Sequence, residues 1–384
     1  MGNFNKVPTM KTVVFGTSRE SPDEKRVLTA RAKRRERVER YLETANDEDK
    51  KQFIKSLFNL DAMLSHYATE SERLLVFIDN NVIQDILKRD QAEEPIRGAR
   101  FHAFLALLIL AEDHYLIDIF ACISPAVMYE ASGRGTRHID EACDEVFDAI
   151  TETGLVMHTI GFSHPNELKI IFKKIQKDEK KIRAALDEIK IKSWKRNFSL
   201  KNGLGTRIPF SLAEEECPNL SLDYFPHKHV KFLLMHMIEK RMFSENSDQT
   251  QARKLMKDPQ DKSFSILKPK GDGVEGLGDI ELLAHCNLRE QTLMRTPHIT
   301  MGLTFDDSLR DALTENASVQ SIITVLGGVD DPSESTARFA YEMMNYQRRT
   351  VKANKRMSEY RTAFKEFVNS LFRPIPEETK LSKN

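Results

Sequence analysis

The chain has 384 residues, enough for a full α/β core plus a large addition or for two domains, and more than a single small domain needs. Its 58 Lys and Arg balance 58 Asp and Glu, a formal net charge of +0, so no global field draws it onto polyanions and any nucleic-acid affinity must come from local patches. Four cysteines (Cys122, Cys143, Cys217, Cys286) lie far apart without a CxxC pair, which argues against a disulfide framework or a cysteine zinc site. The longest apolar run, at 101–111, is too short and interrupted to span a bilayer, and the polar N-terminus lacks a signal-peptide apolar region, so a soluble, cytoplasmic protein without membrane contact is expected.

In chain order, a strand-like start at 11–16 precedes a charged helix around 26–42 with a basic cluster of Arg31, Lys33, Arg34, Arg35 and Arg37. That cluster reads either as a solvated helix face or as a phosphate-contacting surface. A helix at about 49–68 leads into the main domain. From about 74 the periods alternate between strand-like and helix-like, which argues for an α/β sheet with parallel strands. Strands are expected near 75–79, 117–123, 155–160, 298–304 and 319–325, with helices at about 81–89, 96–114, 125–132, 138–152, 279–292 and 307–315.

The segment 163–275 breaks this rhythm with a lysine-rich helix at about 165–194, an irregular Gly- and Pro-containing stretch and a helix at about 227–243. After 332 a long helix or broken pair carries Arg348, Arg349, Lys352, Lys355 and Arg356. The expected organisation is an N-terminal helical extension (1–73), a core in two parts (74–162 and 276–330) split by a mostly helical insertion (163–275), and a C-terminal helical extension (331–384).

Asp79 is the most informative residue. It ends the run Leu74-Leu75-Val76-Phe77-Ile78 just where a helix begins, which places a carboxylate at the crevice where open α/β sheets bind ligands. Comparable settings hold Glu130 in Ser124-Pro125-Ala126-Val127-Met128-Tyr129-Glu130, Asp279 in Gly276-Leu277-Gly278-Asp279, and Asp306 in Thr304-Phe305-Asp306-Asp307. Singly, each aspartate also reads as a helix cap and Glu130 as an ordinary helical residue. Together, converging acids repel one another unless a cation sits among them, so a cluster implies a divalent metal with hard oxygen ligands, such as Mg²⁺.

The order strand-Asp, strand-Ser-Pro-helix-Glu, helix-Asp-x-x-Leu-Leu-Ala, strand-Thr-x-Asp resembles the PIN-domain ribonucleases over about 74–162 and 276–326. The resemblance implies a PIN-like three-layer α/β/α sandwich with a central, mostly parallel sheet of about five strands, carrying here a helical insertion and terminal helical additions. It implies a metal-dependent endoribonuclease in which Asp79, Glu130, Asp279 and Asp306 bind the metal, Mg²⁺ or Mn²⁺, and catalyse, with Asp307 able to replace or assist Asp306. Asn80 and Thr304 fall where supporting hydrogen bonds are expected, Thr304 toward Asp79 or Asp306. The size of the additions is that of a toxin-type member, which implies restrained activity, an inhibitory protein partner or self-assembly into a homo-oligomer.

Lys192, Trp194, Lys195 and Arg196 read as a contact for single-stranded RNA or as a solvated helix end with a buried Trp. His227, His229, His236 and Cys217, with His285-Cys286, match no familiar zinc spacing. Two other readings stay open, a catalytically inactive PIN-like scaffold and a structure-selective DNA nuclease.

Overall fold

The computed structural model describes residues 24–91, 94–193, 216–246, 266–286, 291, 299–314 and 354–372. Three helices open it: α1 (Glu24–Ala32), α2 (Arg34–Thr44) and α3 (Asp47–Ala68). The alternating part follows as β1 (Arg73–Ile78), α4 (Asn80–Leu87), α5 (Pro95–Ile109), β2 (Asp118–Ile123), α6 (Pro125–Ala131), α7 (Ile139–Thr151) and β3 (Met157–Thr159). After α8 (Pro165–Ile191) and α9 (His227–Asn246) comes a hairpin, β4 (Lys268–Lys270) and β5 (Gly273–Glu275). The chain then forms α10 (Leu277–Cys286), β6 (Ile299–Leu303), α11 (Asp307–Thr314) and a last helix, α12, over 354–371.

The central sheet has four strands in the order β3-β2-β1-β6, all parallel. Strands that are parallel throughout must be joined by crossovers that cover the sheet faces, which is why β1 and β2 are apolar along most of their length rather than alternating. The chain steps outward from β1 to β2 to β3 and returns with β6 on the opposite side of β1. The strand order therefore reverses at β1, and the crevice beyond the C-terminal ends of β1 and β6 is where such sheets take ligands.

The expected strands at 11–16 and 319–325 lie outside the described residues. The β4–β5 hairpin was not expected from the sequence, because Lys268-Pro269-Lys270 is fully exposed and carries no strand-like apolar period. Helix α5 is apolar nearly all round and buried from Ala103 to Ile109, packed among α2, α3 and α4. One π turn, Leu110–His114, ends it.

The single charged helix expected at 26–42 is two helices, broken at Lys33. Arg34 is 2% exposed, and its guanidinium donates to Thr153 O (2.6 Å), Gly154 O (2.8 Å) and Glu112 Oε2 (2.6 Å). It pins the N-terminal helices to the α7–β3 turn, so within the basic cluster this residue holds the fold together rather than a phosphate. Gly154 (φ +78°) fits there because a β-carbon would lie 2.7 Å from the Arg31 Cα and N.

Helix α8, within the insertion, buries Leu168, Phe172, Ile175, Ile182, Leu186 and Ile189 at helical spacing against α6 and α7. Glu179, also buried, accepts from Tyr129 Oη (2.7 Å), Arg134 Nη1 (2.9 Å) and Val274 N (2.8 Å), tying α8 to the end of α6 and to the hairpin. At the other end, Phe367 of α12 is buried and Tyr360 Oη donates to Ala68 O. Among the described residues no helix is long and apolar enough to cross a membrane.

Candidate active site

Four segments deliver carboxylates to the C-terminal edge of the sheet. Asp79 follows β1, is 3% exposed, and has its backbone N–H bonded to Leu303 O at the end of β6 (3.0 Å). This extends the β1–β6 ladder by one step and sets Thr304 beside it. Thr304 Oγ1 donates to Asp79 Oδ2 at 2.7 Å. The same oxygen accepts from Asn81 Nδ2 (3.1 Å) and from the Asp306 backbone N–H (3.0 Å), so its own proton is left to Asp79 alone. Asn81 Oδ1 in turn accepts the Phe305 N–H (3.2 Å).

Glu130 stands in the last turn of α6, and its Oε1 accepts the Leu277 N–H at the start of α10 (3.0 Å). Two glycines make room for the acids. A β-carbon on Gly278 would lie 3.1 Å from Glu130 Oε2, and one on Gly276 (φ +92°) would lie 2.2 Å from Ile266 O and 3.3 Å from Asp279 Oδ2. Asp279 is thus carried into the crevice in the first turn of α10. Asp306 precedes α11, and its Oδ1 accepts the Leu309 N–H (3.0 Å), the capping role a helix-start aspartate ordinarily has.

These acids feel one another. Burial pushes the Asp79 carboxyl up to about 6, against the pull of the Thr304 hydroxyl and the Asn80 and Asn81 amides and with a push from Asp306. Burial and then the Asp79 charge raise Glu130 to about 7. Asp279 lies well above the usual carboxylate range, through burial first and then the charges of Asp79, Glu130 and Asp306.

Acids buried elsewhere are answered by hydrogen bonds or by arginine: Asp178 accepts the Asp223 and Tyr224 amides, Glu281 the Ala126 amide and the Tyr224 hydroxyl, and Asp61 the Tyr115 hydroxyl. Asp85 meets Arg97 (3.4 Å) and Arg100 (3.3 Å), Glu179 meets Arg134, and Glu112 meets Arg31 and Arg34. Among the described residues, Asp79, Glu130 and Asp279 have no such partner within ion-pair distance. Asp79 is buried and Glu130 and Asp279 are half-buried, with only the more distant Arg134 drawing on Glu130; like charges so placed are costly, and proteins keep such sets where function requires them.

The sequence could not choose between Asp306 and Asp307. Both are exposed, but Asp306 contributes to the field at Asp79 and Asp279, whereas Asp307 accepts from Arg310 Nη1 (2.6 Å) and Asn59 Nδ2 (3.4 Å). Thr304 makes the bond to Asp79 that its position promised. Asn80, expected to orient a carboxylate or a metal-bound water, has its Oδ1 buried without a hydrogen-bond partner among the described residues, while its neighbour Asn81 bonds the Thr304 hydroxyl and the Phe305 amide. Asn81 was legible only as a second Asx residue in a helix start; nothing local marked it.

Lys192 pairs with Glu216 (2.6 Å). Trp194, Lys195 and Arg196 lie outside the described residues. Of the histidine and cysteine residues weighed for zinc, His285 stacks on Phe77, and Cys286 is fully buried beside Thr300.

Among the described residues, no three His, Cys, Asp or Glu side chains already stand in an arrangement that would hold a metal ion. The donor chemistry nonetheless suits a hard divalent cation: four carboxylates, three of them held above their ordinary pKa, and an orphaned buried amide oxygen on Asn80. The chain matches no protein-family model, no curated protein and no solved structure.

Proposed function

We propose that this protein is a metal-dependent nuclease of the PIN type that hydrolyses phosphodiester bonds in single-stranded RNA. One observation carries the reading: Asp79, Glu130, Asp279 and Asp306, spread over more than half the chain, are brought within each other's fields at the switch point of a parallel sheet. Asp79, Glu130, Asp279 and Asp306 would hold Mg²⁺ or Mn²⁺. Such a cation, when bound, supplies positive charge against the phosphodiester and acidifies water.

The chain's own groups prepare that chemistry. Thr304 holds one oxygen of Asp79, Oδ2, through its hydroxyl proton and so helps to fix the orientation of the carboxylate. The Leu277 amide orients Glu130. Glu179 locks the hairpin that leads into the Asp279 helix, so the insertion takes part in shaping the site. Because an unrestrained ribonuclease harms its host, an inhibitory protein partner, self-assembly or the insertion would hold activity in check, in the manner of toxin or defence nucleases.

The test compares Asp306→Asn with Asp307→Asn on a labelled single-stranded RNA, with single-stranded DNA and flapped duplexes in parallel and chelator controls. Asp306→Asn should lower RNA cleavage by roughly a hundredfold or more, at or beyond the upper end of what the loss of an outer partner costs, and Asp307→Asn should cut within about twofold of the parent. Equal activity of both variants, or cleavage that survives chelation, would remove the assignment. Preferential cleavage of flapped DNA would redirect it to a DNA nuclease.

A further inference from the structure

Ser124 ends β2 and begins α6, and it is 2% exposed. A serine in this position ordinarily accepts an amide of the first helical turn through its hydroxyl. Here it does not. The Ala126 N–H is taken by Glu281 Oε2 (2.9 Å), reaching across from α10, and Ser124 makes no side-chain cap bond. Its Oγ is buried and has no hydrogen-bond partner among the described residues. Such orphans are few in native proteins and each calls for a cause.

The register supplies one. Phe77 pairs with Cys122 and Ile78 with Leu303, so continuing the register two steps past the β1–β2 ladder and one step past the β1–β6 ladder places Ser124, Asp79 and Thr304 in a row across three adjacent strands. The Thr304 hydroxyl donates to Asp79 Oδ2 on one side. On the other side stands a second hydroxyl, relieved of its capping duty and bonded to nothing. Asn80 Oδ1, one residue from Asp79, is orphaned as well. Two buried polar groups without a partner among the described residues, one in the same sheet row as Asp79 and one on the residue after it, mark a place whose hydrogen bonds are completed by something other than these side chains.

We propose that Ser124 is a positioning residue of the carboxylate site, whose hydroxyl is reserved for a hydrogen bond to the hydration shell of the cation held by Asp79 and its neighbours. A small hydrated ion suits the place, because a hydroxyl this deeply buried is beyond the reach of a nucleotide. The inference rests on the nuclease reading and adds a residue to it.

Ser124→Ala provides the test, with Mn²⁺ alone as the probe. Melting temperature in chelator and Mn²⁺ affinity by isothermal titration are measured for parent, Ser124→Ala and Asp79→Asn. Removing an orphaned hydroxyl leaves the cation-free melting temperature unchanged or higher, while Mn²⁺ affinity falls about tenfold or more, the range typical of outer partners of metal ligands. A merely structural serine gives the reverse, a lower cation-free melting temperature. Unchanged Mn²⁺ affinity in Ser124→Ala, or a drop in cation-free stability alongside it, overturns the proposal while the nuclease reading stands. Absence of Mn²⁺ binding by the parent overturns both, and the parent titration tells the two failures apart.

Discussion

Asparagine at position 79 is expected to abolish RNA cleavage and the stabilisation by Mn²⁺, yet to raise the melting temperature of the cation-free protein. The side chains are nearly isosteric, and an amide oxygen still accepts the Thr304 proton that now reaches Asp79 Oδ2 at 2.7 Å. What disappears is the charge. Asp79 is 3% exposed and bears on both Glu130 and Asp279, so its removal also lowers the cost of ionising those two. In the parent, Mn²⁺ at a hundredfold excess over its Kd adds about 2.7 kcal/mol of stability. Thermal melts with and without Mn²⁺, alongside an RNA cleavage assay, check all three outcomes. A folded variant that cuts RNA at the parental rate would refute the site.

The second expectation concerns pH. An acid whose folded pKa is raised is stabilising when protonated, so its contribution is present below the unfolded value and is lost as pH rises through the folded one. For Asp79 the loss runs from about 4 to about 6, and for Glu130 it runs on to about 7. Buried histidines oppose this: His102, lowered to about 4 by burial, costs stability as pH falls below its ordinary value. Asp61, raised to about 6 by burial despite its bond to Tyr115, adds to the carboxylate trend. The parent's curve alone is therefore a sum of opposing slopes.

Subtracting Asp79→Asn cancels groups that do not feel Asp79, such as His102 and Asp61, and leaves the titration of Asp79 together with its push on Glu130 and Asp279. The variant and parent should be nearly equal in cation-free stability at pH 4 and diverge as pH rises through the range where Asp79 ionises, with the variant the more stable at pH 7.5. Denaturant unfolding at several pH values in chelator measures the difference. A gap that stays constant with pH would mean that Asp79 is not held protonated by its surroundings. Saturating Mn²⁺ should close or invert the gap in the parent's favour, because the cation answers the charges that the protein leaves unopposed.

Much of the core was legible because its signals are local. The apolar run ending at Asp79, the Ser-Pro start of α6 and the Thr-x-Asp after β6 each announce an element and its boundary in a few residues. The four acids were therefore found from their positions at element ends. What was not legible depends on contacts distant in sequence. Arg34 looks like one more charge in a basic run, and only the carbonyls of Thr153 and Gly154, some 119 and 120 residues on, make it a buried anchor. Asp306 could not be told from Asp307 until Arg310 and Asn59 were seen to claim the latter.

The β4–β5 hairpin has no period of its own because it is held from outside, by Glu179 at Val274 N and by Arg183 at Gly273 O (3.2 Å). Ser124 was legible only as part of the Ser-Pro start of α6, and only the arrival of Glu281 from α10 shows that the Ala126 amide is taken by another residue.

The most direct measurement is an anomalous difference map from crystals of the full chain soaked in Mn²⁺. The account predicts one or two peaks among the carboxyl oxygens of Asp79, Glu130, Asp279 and Asp306, with Asp307 outside the coordination shell. A map without density there, in crystals whose soaking solution holds Mn²⁺ at millimolar concentration, would contradict it and leave four acids that merely finish their own helices.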